Sequence, residues 1–157
     1  MSLTSSVPQG LVERIKAAEG FRSLPYRDSL GYWTIGYGKL LSTDKTLLFN
    51  EALTLAGGPW SIEKATEAIK DSLAYCEVTL IETFPWFHAL ESVRHECFIE
   101  LCYNMGINRL SGFTNLLKAA ENGQWVRAAI ELMDSLYAKQ VGARAKRIAI
   151  ALGTGVV

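Results

Sequence analysis

Glu19-Gly20-Phe21-Arg22-Ser23-Leu24-Pro25-Tyr26-Arg27-Asp28-Ser29-Leu30-Gly31-Tyr32-Trp33-Thr34-Ile35-Gly36-Tyr37-Gly38-Lys39 is the stretch in which the hydrophobic period changes. Upstream, Ser6, Pro8 and Gln9 form a helix-start signal, and Leu11, Val12, Ile15 and Ala18 recur at helical spacing until Glu19 meets Gly20, a good residue for ending a helix. The spacing predicts a first helix over 7–19. From Leu24 to Lys39 the strand formers Tyr26, Tyr32, Trp33, Ile35 and Tyr37 alternate with the breakers Pro25, Asp28, Ser29, Gly31, Gly36 and Gly38. That pattern predicts a small antiparallel sheet with tight turns.

Downstream the chain reads as helical. Gly57-Gly58-Pro59 marks a loop, and Ser61 can cap a long helix carrying Ile62, Ala65, Ile69, Leu73 and Cys76. Further helices are expected over Trp86 to Met105, closed by Gly106, then Thr114 to Asn122, Trp125 to Tyr137 and Ala143 to Leu152. No internal repeat is visible.

The 157 residues allow one domain, with 49% hydrophobic residues to build a core. Sixteen basic against 16 acidic side chains give no net charge, so no global field draws the chain onto nucleic acid or an anionic membrane. The one asymmetry is a basic run, Lys139, Arg144, Lys146 and Arg147, without an acid from Tyr137 onward. No apolar stretch is long enough for a spanning helix, and residues 1–10 lack the features of a signal peptide. Cys76, Cys97 and Cys102 lack metal or disulfide spacing and are read as buried thiols. His95-Glu96 lacks the second histidine of a zinc helix, and Gly31, Gly36 and Gly38 do not have phosphate-loop spacing.

One constellation carries chemistry. Glu19 stands at a helix end, Asp28 follows nine residues later, and Thr34 six after that. Cleaving a glycosidic bond takes one carboxylic acid to protonate the leaving oxygen and a second group to direct a water. Glu19 and Asp28 can supply that pair. Spacing alone is weakly specific, because Asp28 is also an ordinary turn former. Glu19, however, sits at the negative pole of its helix, where a carboxylate is disfavoured.

Glu19-Gly20-Phe21-Arg22, Tyr26-Arg27-Asp28 and Gly31-Tyr32-Trp33-Thr34-Ile35-Gly36-Tyr37-Gly38 resemble the active-site segment of the phage-type lysozymes, the T-even-like endolysin family of glycoside hydrolases. The likeness continues through Asn104-Met105-Gly106, Gly112-Phe113-Thr114-Asn115, Trp125 with Ala128-Ala129, and Arg144-Ala145-Lys146-Arg147. It implies an α+β fold: a small N-terminal lobe (about 20–60) with a three-stranded antiparallel sheet, a connecting helix (about 61–83), and a helical C-terminal lobe (about 84–157) on which the first helix packs, with a glycan cleft between the lobes.

The implied activity is muramidase cleavage of peptidoglycan without metal or organic cofactor. In that resemblance Glu19 is the general acid, and Asp28 and Thr34 position the water. Leu40, Tyr103, Leu116 and Glu131 fall at sugar-contacting positions, supported by Arg144, Tyr137 and Asn104. Leu116 and Glu131 replace smaller polar groups. Arg144 is expected to approach Glu19, which would lower its pKa, so substrate must desolvate the acid to raise it. Lys39, with Asp71 on the long helix, is expected to form an ion pair.

The resemblance further implies a monomer that binds peptidoglycan, with no nucleic acid and no stable membrane insertion. It would accumulate in the host cytoplasm and be released through a holin-type lesion. The competing reading is a non-catalytic peptidoglycan-binding module that has kept the fold.

Overall fold

The computed structural model describes residues 7–156, and contacts divide the chain into two compact units, 1–74 and 75–157. Ser6, read above as part of the helix start, lies outside the described residues.

In the first unit, α1 (Gln9–Glu19) buries Leu11, Val12 and Ile15 at one-turn spacing and ends where the Gly20 N–H returns to the Lys16 carbonyl. Three strands follow, β1 (Arg22–Arg27), β2 (Trp33–Gly36) and β3 (Lys39–Ser42), paired antiparallel in the order β1-β2-β3. Pro25 cannot donate to a ladder, and it sits in an edge strand at a register shift between Arg22 and Tyr26. β2 is the middle strand and is buried along its whole length.

α2 (Phe49–Ala56) packs on β1 and β3. It starts where the Glu51 carboxylate accepts the Leu48 N–H at 2.9 Å, half of a capping box that the sequence reading passed over. α3 (Ile62–Thr83) begins, as expected, at Ser61, whose hydroxyl accepts the Lys64 N–H at 3.1 Å, and the boundary between the two units falls within it.

The second unit is helical. The helix expected over Trp86 to Met105 is in fact a 3-10 turn (Phe87–Ala89) followed by α4 (Ser92–Met105), because Leu90 and Glu91 are extended. Gly106 closes α4 as predicted, and α5 (Ile107–Ser111) follows it unforeseen. After α6 (Thr114–Glu121), the helix expected over Trp125 to Tyr137 is split into α7 (Trp125–Met133) and α8 (Leu136–Val141). The split has a local cause: the Ser135 hydroxyl accepts the Ala138 N–H at 3.1 Å and restarts the helix as its cap.

α9 (Ala143–Thr154) packs on α7 and α4. Phe87, Phe98, Leu101, Leu110, Leu132, Ile148 and Leu152 form this unit's apolar interior. Arg94 ties α4 to the end of α9 through the Leu152 carbonyl (2.8 Å) while its guanidinium stacks over Trp125.

Cys76, Cys97 and Cys102 are free and buried. Hydrogen bonding to Cys102, together with burial, pushes the Cys76 thiol well above the ordinary range. His95 is half-buried: it stacks on Phe87 at 4.1 Å and lies 3.8 Å from a Glu77 oxygen.

Candidate functional site

Three of the expected site residues come from the first unit's hairpin, and register decides how they share it. Thr34 lies opposite Tyr26 of β1 and opposite Leu40 of β3. Directly opposed residues share a face, so Tyr26, Thr34 and Leu40 form a row across the three strands. Thr34 is buried at 4% exposure while Leu40 is 49% exposed, an apolar side chain open to a ligand. The Thr34 hydroxyl donates to the Tyr32 carbonyl at 3.1 Å, which commits its proton and leaves its lone pairs to accept.

Asp28 closes the β1–β2 hairpin. Its N–H bonds the Tyr32 carbonyl, and its Oδ1 accepts the N–H groups of Leu30 and Tyr32, each at 2.9 Å. With Oδ1 held by two backbone donors, Oδ2 is the oxygen left for a water. Arg27 stiffens this turn from outside: it donates to the carbonyls of Gly31 (3.1 Å), Lys45 (3.2 Å) and Leu47 (3.2 Å) and stacks on Trp33 at 4.3 Å. The Trp33 indole N–H holds the Leu47 carbonyl at 2.9 Å as well. The Asp28 carboxylate therefore projects from a turn fixed on both sides.

Glu19 reaches the other hairpin loop, Tyr37 and Gly38. A Cβ built on Gly38 would lie 3.0 Å from Glu19 Oε2, so the carboxylate rests against the bare α-carbon. Tyr26, read above only as a strand former, links the acids: its phenol is pushed above its ordinary range first by burial, then by the negative charges of Glu19 and Asp28, against the pull of Arg22. Arg22 lies over the Tyr26 ring at 4.5 Å. Both carboxylates thus act on one phenol. The sequence signal for Tyr26 was its place two residues before Asp28, which puts both on one face of an extended strand.

Lys39 does not form the expected pair with Asp71. Its ammonium donates to the Ser72 hydroxyl at 3.4 Å. Neighbouring residues of a helix point about 100° apart, so a side chain reaching Ser72 is turned from exposed Asp71.

In the second unit, Asn104 is an amide clamp. It donates to the Tyr137 hydroxyl at 2.9 Å and accepts from Arg144 at 3.0 Å, so all three supporting residues meet. Tyr137 is 2% exposed, and burial pushes its phenol upward. Leu116, Glu131 and Tyr137 line one groove of about 530 Å³ together with Arg109, Thr114 and Asn115. Leu116 is 1% exposed and serves as its floor, while Glu131 is engaged by Arg127 at 2.8 Å. Tyr103 is half-buried on α4.

Sequence reasoning missed Glu100. Its side chain is buried at 2% residue exposure and meets Arg147 at 2.5 Å. An acid in the middle of an apolar helix was the available sign of a paired charge. Among the described residues no group of three His, Cys, Asp or Glu side chains is arranged to hold a metal, and no helix is long and apolar enough to cross a membrane.

The α+β framework, a three-stranded antiparallel sheet followed by a helical unit, is that of a lysozyme-type glycoside hydrolase. The chain belongs to the phage lysozyme family, whose model matches residues 16–149. It is 25% identical to probable T4-type lysozyme 1 of Dictyostelium discoideum, over 92% of this chain and 94% of that protein. Identity to probable T4-type lysozyme 2 of the same organism is 26%, over 94% and 95%. The pre-baseplate central spike protein of Enterobacteria phage T4 is 28% identical over 92% of this chain, which spans only 28% of the spike protein's length.

Proposed function

We propose that the chain is a muramidase that hydrolyses the β-1,4 bond between N-acetylmuramic acid and N-acetylglucosamine of peptidoglycan, with inversion. The observation that carries the reading is the hairpin itself: Asp28 with one oxygen locked and one available, beside a Thr34 hydroxyl whose proton is already committed. Such a pair can hold a water by two acceptors. Glu19 gives its proton to the glycosidic oxygen as the bond to the anomeric carbon breaks. Asp28 takes a proton from the water as its oxygen bonds that carbon from the opposite face, so the products carry the inverted configuration.

Leu40 supplies an apolar wall for a pyranose face. Tyr103, Leu116 and Glu131 contact the glycan, and Asn104 and Tyr137 hold Arg144 in place for it. No metal or organic cofactor is required, and the active species is a monomer. The family supports an endolysin role: accumulation in the host cytoplasm, then access to the wall through a holin-type membrane lesion.

Clearing of permeabilised Gram-negative cell walls by the wild type and by Glu19→Gln, at equal concentration and low salt, tests the reading. Clearing by the wild type alone supports it. Inactivity of both, with retained wall binding, would instead make the chain a glycan-binding module.

A further inference from the structure

We propose that Gly38 is a positioning residue for Glu19: its bare α-carbon is the seat of the carboxylate, and the missing side chain is what lets the acid lie where it does. The kinetic part of this inference rests on the muramidase reading; the structural part does not.

α1 ends at Glu19 and the chain turns away at Gly20, so the Glu19 side chain is delivered from a helix terminus onto the β2–β3 loop. An ideal Cβ on Gly38 would stand 3.0 Å from Oε2, 3.6 Å from Cδ and 3.9 Å from Cγ, so its three nearest neighbours all belong to the Glu19 side chain. The first distance is tighter than ordinary carbon–oxygen contact, so a side chain at 38 moves the carboxylate by a few tenths of an ångström. Gly38 also has φ +78°, where L residues are strained. These are separate demands, one on the backbone and one on Glu19.

Gly36 separates them. It has φ +67° in the same turn, yet a Cβ there would meet the Trp60 ring at 2.9 Å and Ala65 Cβ at 3.1 Å, with no Glu19 atom among its nearest neighbours. Gly36→Ala therefore imposes strain and crowding without touching the acid. A methyl at 38 displaces the carboxylate; misplacement of a reacting group by about 1 Å costs on the order of a hundredfold in rate, so a shift of a few tenths of an ångström costs on the order of tenfold.

The test is a double-mutant cycle with a kinetic arm. Thermal unfolding of the wild type, Gly38→Ala, Glu19→Ala and the double variant reads the seat directly. The expected result is a smaller loss of Tm from Gly38→Ala in the Glu19→Ala background, because truncation at 19 removes the obstructed atoms. Additive losses overturn the proposal. If Gly38→Ala does not fold, folding of the double variant supports the seat, and failure of both assigns the cost to strain and overturns it.

In the kinetic arm, Gly38→Ala should lose at least about tenfold in kcat, with KM within about twofold. Gly36→Ala should keep most of kcat. Equal effects at the two glycines overturn the positioning role. Absence of turnover in the wild type would defeat the muramidase reading and leave the unfolding cycle to decide the seat.

Discussion

Replacing Arg147 by Met should weaken the compensation of a buried charge. Glu100 is 2% exposed, and its carboxylate meets the Arg147 guanidinium at 2.5 Å. Removing one partner of a buried pair costs about 3–5 kcal/mol where the remaining charge is left wholly uncompensated, which is the upper bound here. Here the Arg147 side chain is 43% exposed, so water can enter the vacated position and reduce the penalty. That places the expected loss at about 2–3 kcal/mol. For a chain of this size each kcal/mol moves Tm by about 2–4 °C, so the drop should be about 4–12 °C by calorimetry at pH 7.

Glu100→Gln combined with Arg147→Met removes the buried charge as well and should recover most of the loss. A single-variant loss below about 0.5 kcal/mol, within the range of ordinary surface substitutions, or a double variant no better than the single one, would refute the reasoning.

Asp28→Asn keeps an acceptor for the Leu30 and Tyr32 N–H groups but cannot take a proton, so circular dichroism should show a near-native Tm with wall clearing lost; retained clearing would remove Asp28 from the mechanism. Tyr26 and Tyr137 are both held neutral above the ordinary tyrosine range, chiefly by burial, so spectrophotometric titration should show Tyr26→Phe lacking one late-ionising phenol. The neutral form stabilises the fold fully below the unfolded value near 10, and that stability is lost as pH rises through the folded value. Urea titration of Tyr26→Phe should therefore show a shallower fall in stability above about pH 10. Ser135→Ala deletes the cap that starts α8 and should cost about 1 kcal/mol in denaturant unfolding, with the m value unchanged.

What was legible in the sequence was mostly local. Gly20 after Glu19, Ser61 before Ile62 and the glycines of the hairpin each act on backbone within a few residues, and each ends, starts or turns an element as read. The breaks at Leu90-Glu91 and at Ser135 escaped because apolar periodicity runs across both. Ser135 is nonetheless a cap residue, and reading Asp134-Ser135 as a start would have found α8. Glu19 at its helix end and Asp28 and Thr34 in the hairpin were visible as residue types at a spacing. Their row with Tyr26 and Leu40 was not, because it depends on register, which a shift beside Pro25 and another between Trp33 and Thr34 reset. Lys39 failed for a related reason: one residue along a helix turns a partner by about 100°, and sequence separation cannot choose between Asp71 and Ser72. The seat of Glu19 on Gly38 joins a helix end to a loop nineteen residues away, a distance relation that composition does not record.

The most direct test of the central claim is the chemistry of the cut. Purified peptidoglycan is digested with wild-type protein and with Glu19→Gln, the new reducing ends are identified by mass spectrometry, and the first-formed anomer is followed by proton NMR. The account predicts N-acetylmuramic acid at the new reducing ends, appearing first as the α anomer, from the wild type alone. N-acetylglucosamine ends, a β anomer formed first, or equal product from Glu19→Gln would contradict it.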